Sequence, residues 1–438
     1  MAREMKDSGV EWIGEIPREW EVKRVKSCIS DRTAGNWGED KKNNEDDFIC
    51  IRVADFDYER MRIKKANNYT KRNYNKTIIK KLLLKENDIL IEKSGGGEKT
   101  PVGRTIIFKE KFPALYANFI ERLRVNFNIV NPMFLQYLFV TFYKNKYILN
   151  YIKQTTGIQN LDITSMLTNE RIVLPLLEKQ EKIVNFLDKK VSDIDLIIEK
   201  TKITIEDYKK YKQSIITEAV TKGINPNVEM KDNGIEWIGE IPKHWKKINP
   251  KALFFQRKEK AKKGERQLTA SQKYGVIYQD DFMKKEGVRV TVVQKDFDIL
   301  KHVEPNDFVI SMRSFQGGLE YSELAGSISS AYVMLIPNLE KVTPRFFKYF
   351  FKSSKYINAL QSTSNLVRDG QAMRYSNFTQ LYLVEIPLEE QNQIAEYLDK
   401  KTSEIDTLIT KKEALITELE EYKKSLIYEC VTGKKEIK

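Results

Sequence analysis

Two stretches of the chain carry the same hydrophobic period. In the first, Ile183, Leu187, Ile194, Ile198, Ile205, Tyr208, Ile215 and Ala219 follow a mixed three-and-four spacing. Each has an apolar counterpart 211 residues later, namely Ile394, Leu398, Ile405, Ile409, Ile416, Leu419, Leu426 and Cys430. A narrow apolar stripe sustained over about six heptads, with charge elsewhere on the surface, predicts a long amphipathic helix in each place. Neither 178–222 nor 389–432 contains Pro or Gly. Pro175 and Pro387 lie just upstream, and Gly223 and Gly433 follow the last periodic residues as helix C-terminal signals. At 1.5 Å per residue each helix would run ~66 Å. A stripe that long needs a partner, and the simplest one is its own repeat, in an intramolecular antiparallel coiled coil.

Outside the helices the period changes to two. Short alternating runs such as VGRTIIF, FVISMR and AYVMLI are separated by Gly, Asn and Asp turns. Each intervening segment therefore reads as an α+β globular domain. The two segments differ strongly but keep common traces. Asn87-Asp88-Ile89-Leu90-Ile91 resembles Asn306-Asp307-Phe308-Val309-Ile310, a turn followed by a buried strand. Pro132, Phe134, Leu135, Tyr137, Leu138 and Phe139 match Pro344, Phe346, Phe347, Tyr349, Phe350 and Phe351 as a short apolar helix.

A further repeat frames them. MKDSGVEWIGEIPREW (5–20) returns as MKDNGIEWIGEIPKHW (230–245), with twelve of sixteen positions identical. The expected layout is a first domain over 1–174, a long helix over 175–224, a second domain over 225–386 and a second helix over 387–438. Trp12, Trp20, Trp237 and Trp245 are expected to staple each domain to the helices. Trp37, outside the repeat, is expected in the core, with a DNA contact as the alternative.

Composition narrows the class. No run of eighteen apolar residues is present, so no membrane span is expected. The N-terminal residues lack the apolar stretch of a secretory signal. Cys28, Cys50 and Cys430 are few and far apart, which fits a reducing cytoplasm. With only His244 and His302 besides, a metal site is not expected. Net charge is +13; residues 178–222 hold +1 and 389–434 hold −4, leaving +16 for the rest. The basic surplus sits in the domains and not on the helices, which points those domains toward nucleic acid. These features fit a sequence-specific DNA-binding protein or a coiled-coil spacer joining two protein-binding domains.

The paired W-I-G-E-I-P-x-x-W boxes add a third and leading reading, a DNA-specificity subunit. Together with the helix beginnings at Pro175 to Gln180 and Pro387 to Gln391, the apolar stripe and the L-D-K-K run, they closely resemble the specificity subunit of type I restriction-modification systems. The resemblance covers essentially the whole chain. It implies two globular α/β target recognition domains, each reading one half of a bipartite duplex, with the coiled coil setting the unread spacer. It also implies a non-catalytic cytoplasmic protein without cofactor, assembled with two copies of a modification (methyltransferase) subunit and a restriction subunit.

Motifs for the partners' chemistry are absent from the sequence. There is no Pro-Pro pair for an adenine-methyltransferase tetrapeptide, no G-x-G-x-x-G loop, no Walker A loop and no G-x-S-x-G elbow. No catalytic or metal residue is therefore assigned. Glu92 and Lys93 near Asp88 hint at a nuclease cluster, but the E-x-K spacing is missing and strand burial explains Ile89 to Ile91 better.

Candidate DNA contacts lie in polar loops. Ser94, Gly95, Gly96, Lys99 and Arg104 follow a predicted strand, where glycine amides can approach a phosphate. Arg313, Ser314 and Gln316 occupy the equivalent place in the second domain, where Arg313 suits a guanine edge and Gln316 an adenine edge. Gly157, Gln159 and Asn160 leave the first domain. Arg368, Gln371, Arg374 and Tyr375 are their counterparts, and both loops resemble the family's recognition loops. Tyr116 with Asn118, and Ser330 with Tyr332, are weaker candidates.

Overall fold

The helices form where the period predicts. A computed structural model describes residues 3–97, 99–154, 157–290, 299–363 and 373–437. In it one helix spans Leu177–Lys222 and the other Leu388–Val431. The chain divides into two compact units, Met1–Thr201 with Ala414–Lys438, and Lys202–Glu413. Both divisions fall inside the long helices, so each unit holds the start of one helix and the end of the other.

Antiparallel pairing is fixed by ion pairs. In the first unit Lys423 Nζ donates to Asp195 at 2.7 Å. In the second, Lys212 Nζ donates to Asp406 at 2.6 Å. Going from 195 to 212 on the first helix moves the contact from 423 back to 406 on the second, so the two helices form an antiparallel coiled coil.

Each unit contains the same four-stranded antiparallel sheet. In the first unit its order is Thr105–Ile107, Ile89–Glu92, Ile120–Val125, Ile29–Ala34. In the second it is Glu320–Tyr321, Phe308–Ile310, Val333–Pro337, Phe254–Arg257. The second strand in each order follows the Asn-Asp turn read from sequence. Asn87 and Asn306 adopt φ of 69° and 75°, a left-handed conformation that Asn tolerates better than most side chains. Asp88 and Asp307 then accept the amides of Lys85 and Glu304 at 2.8 and 2.9 Å. Both carboxylates are buried against an arginine, but from different strands: Arg124 bonds Asp88, and Arg257 bonds Asp307. The site is kept while the strand supplying its cation has changed.

The short apolar helices Pro132–Lys144 and Pro344–Phe350 join these sheets to the long helices. Tyr137 donates to Asp188 at 2.6 Å, and Tyr349 donates to Asp399. These bonds account for the aspartate of the L-D-K-K run. The glutamines at the helix beginnings are buried clamps. Gln180 accepts the Asn131 amide and donates to the carbonyls of Ile129 and Pro175 at 2.8, 3.2 and 2.8 Å. Gln391 does the same for Thr343, Lys341 and Ile386 at 2.7, 2.8 and 2.8 Å. A buried backbone group left without a partner is costly, and one side-chain amide here satisfies three.

The repeated boxes fold as identical hairpins, Met5–Asp7 with Glu15–Pro17 and Met230–Asp232 with Glu240–Pro242. Trp20 and Trp245 are almost fully buried. The first box closes on the end of the second long helix: a Cβ at Gly433 would stand 2.4 Å from Pro17 Cδ and 3.2 Å from the Trp20 ring. The second box closes on the end of the first long helix, where Gly223 faces Trp245 and Pro242 at 3.6 and 3.8 Å. Trp12 packs edge-on against Phe142, and Trp237 against Phe350 and Tyr356. Trp37 corrects the sequence expectation. It is 41% exposed rather than in the core, with the Arg72 guanidinium over its ring at 4.8 Å.

Candidate nucleic-acid interface

In the first unit the fold joins two loops that lie about sixty residues apart in sequence. Strand Ser94–Gly95 pairs with Gln159–Leu161, which pairs in turn with Ile152–Gln154. Ser94, Asn160 and Lys153 are directly opposite one another across the three strands, so their side chains share one face. Ser94 Oγ donates to Asn160 Oδ1 at 2.7 Å, and the Asn160 amide nitrogen has no partner among the described residues. Gln159 points the other way. It is buried, and its Oε1 accepts the Val102 amide at 3.2 Å. Gly157 and Lys99 are exposed.

Gly96 makes the tight turn beneath this face. Its φ is +64°, and a Cβ there would meet the Val102 nitrogen at 2.8 Å. Arg104 is held internally. Its guanidinium bonds both Glu92 oxygens at 3.0 and 3.3 Å and lies over Tyr58 at 3.8 Å. Burial pushes the Glu92 carboxyl above the usual carboxylate range, and Arg104 opposes the shift. Glu92 and Asp88 are thus the anchors of two internal ion pairs. No group of three His, Cys, Asp or Glu suited to a metal occurs among the described residues. Tyr116 is buried with its hydroxyl on the Thr33 carbonyl, whereas Asn118 is exposed.

The second unit presents a short helical turn, Ser314–Gly317, after its central strand. Ser314 is buried and accepts the Ser311 amide at 2.8 Å, shaping the turn from within. Arg313 and Gln316 are exposed beside it. Below the turn, Lys352 Nζ bonds the Gly317 carbonyl at 2.9 Å and Glu320 at 2.5 Å. Burial raises the Glu320 carboxyl as it does Glu92. Each candidate loop therefore rests on a buried glutamate with a cation partner. Arg374 is exposed, while Tyr375 stacks on Phe378 and donates to the Phe254 carbonyl at 3.2 Å. Arg368 and Gln371 lie outside the described residues. Ser330 is exposed and Tyr332 half-buried.

The sequence reading missed Lys153, which shares the Ser94–Asn160 face, because nothing local marks strand register.

With the frame, the helix pair and the two loop sets described, the chain is similar to specificity subunits of type I restriction-modification systems. Residues 17–207 match the family described as the type I restriction modification DNA specificity domain. The chain is 26% identical to the putative type I restriction enzyme MjaX specificity subunit of Methanocaldococcus jannaschii, covering 97% of this chain and 96% of that protein. It is also 26% identical to the type I restriction enzyme MjaVIII specificity subunit of the same organism, over 82% of this chain and 81% of that one. Two solved structures share the fold at 14% identity. A chain from a type I R-M system has TM-score 0.69 over 96% of this chain and 99% of its own. The HsdS subunit from Thermoanaerobacter tengcongensis has TM-score 0.52 over 96% and 98%. No helix among the described residues is long and apolar enough to cross a membrane.

Proposed function

We propose that this non-catalytic chain reads a bipartite duplex site, one half with each domain, and so directs adenine methylation and cleavage by partner subunits. The reading heads are residues 1–174 and 225–386, and the helices at 175–224 and 387–438 set the unread spacer. One observation carries this reading: the two units keep one sheet order, one Asn-Asp turn and one glutamine clamp, yet differ at the loops those features support. Bases are discriminated at groove edges, so two half-sites demand different loop chemistry on one scaffold.

In the first unit the contacts are Ser94, Gly95, Gly96, Lys99, Gly157 and Asn160, with Arg104 and Gln159 bracing them. In the second they are Arg313, Gln316, Arg368, Gln371 and Arg374, with Ser314 and Tyr375 bracing. Two modification subunits would dock on the two repeated box-helix units, and a restriction subunit would join that assembly.

A map of methylated adenines in the host tests the reading. It should show a two-part motif with a fixed gap. Replacing 246–385 with another such domain should change one half of the motif and leave the other intact. A methylated motif without a gap would overturn the reading.

A further inference from the structure

In the second unit two lysines are opposite each other across a strand pair, with no acid paired to either among the described residues. Lys260 and Lys301 form an isolated antiparallel bridge, flanked by Ala261 N to Leu300 O at 3.1 Å and His302 N to Glu259 O at 3.1 Å. That pattern makes them a non-hydrogen-bonded pair, the kind whose side chains come closest. Like charges directly opposite destabilise a sheet. Neighbouring cations are matched: Arg257 with Glu259, Lys262 with Glu304, Arg266 with Asp280 and Asp281. Lys260 and Lys301 make no ion pair among the described residues. Lys260 is exposed, while Lys301 is half-buried and donates to the Tyr332 carbonyl at 2.6 Å. The Lys301 ammonium is held below the usual lysine range, by burial first and then by the Lys260 charge. The charge of Arg313 also reaches Tyr332, so Lys301 and Arg313 both act on that residue.

We propose that Lys260 and Lys301 are a phosphate clamp that holds the DNA backbone beside the Arg313 turn. The inference rests on the reading that this domain binds duplex DNA. An anion between the two ammonium groups removes their repulsion and satisfies both, which no side chain among the described residues does. The clamp carries no sequence information itself. It sets the register in which Arg313 meets a base edge.

The test uses the full chain assembled with its modification subunits, a duplex carrying the mapped motif and an unrelated duplex. Each phosphate contact contributes about 0.9 to the slope of log affinity against log salt. Lys260→Gln should lower that slope by about 1, and Lys260→Gln with Lys301→Gln by about 1 to 2. Both duplexes should weaken together, with the methylated motif unchanged and Lys260→Arg retaining the wild-type slope. The Lys260 side chain makes no hydrogen bond among the described residues, so its single variant keeps the test valid if the double variant unfolds. An unchanged slope in folded Lys260→Gln overturns the clamp, as does a changed motif. Stabilisation of the wild-type chain by inorganic phosphate, with no slope change on duplex, would assign the site to a free anion and also overturn it. Wild-type protein without salt-dependent duplex binding would instead sink the underlying reading.

Discussion

Lys423 reaches across from one long helix to Asp195 on the other at 2.7 Å, with both side chains largely withdrawn from solvent. The same two residue types meet again 211 positions away in mirrored roles, as Lys212 with Asp406. A periodic apolar stripe tolerates sliding by a heptad, but matched charges at fixed positions do not.

Reversing one charge should therefore weaken the helix pair, and reversing both should restore it. Asp195→Lys is expected to destabilise the chain. Adding Lys423→Asp should recover about 1 kcal/mol as a coupling term. Chemical denaturation of the four proteins in a double-mutant cycle measures it. A coupling of zero would show that the stripe alone sets register.

The glutamine clamps predict a larger loss. Gln180→Leu removes three hydrogen bonds and leaves the Ile129 and Pro175 carbonyls and the Asn131 amide without that partner. A cost of about 3 kcal/mol is expected. Gln391→Leu should match it within the second unit. Urea titration of each variant decides the size, and a loss under about 0.5 kcal/mol would mean that water replaces the amide.

Burial of Glu92 and Glu320 gives a pH signature. Their folded values are raised above the unfolded ones, so the folded chain binds protons more readily in the window above the ordinary glutamate value. Stability from these groups therefore falls as pH rises through that window. Glutamine cannot ionise, so Glu92→Gln with Glu320→Gln should gain stability relative to wild type between about pH 4 and pH 7. Melting temperatures across that range report the sign; a relative loss would contradict it.

Base reading should divide by domain. Asn160→Ala is expected to relax one position of one half-site, and Arg313→Ala one position of the other, each by roughly 1–3 kcal/mol of discrimination. Methylation mapping of cells carrying each variant gives the result directly. Altered reading of both half-sites by one substitution would break the one-domain, one-half assignment.

Much of the frame was legible in the sequence because its signals are local or repeated. The helices, the Asn-Asp turns and the paired boxes are each written in adjacent letters or in a copy. The site was less legible. Ser94 and Asn160 were singled out separately, as polar loop residues, and nothing in either loop says that they are hydrogen-bonded neighbours. Arg104 looks like a free basic residue in a glycine-rich loop, yet Glu92 twelve residues earlier holds it. Lys260 and Lys301 look like two lysines among many until strand register sets them opposite each other.

The sequence by itself determined which residues are helical, where one frame is repeated and that two divergent domains lie between the copies. Period, punctuation and duplication are properties of the chain read in order. Only the tertiary structure decided that the first box closes on the end of the second helix, at Gly433, and that Arg124 and Arg257 serve the same aspartate site from different strands. It also decided which cations are paired and which stand unmatched. Burial and hydrogen bonding join residues by distance in space, and that distance is set by packing between segments far apart in sequence.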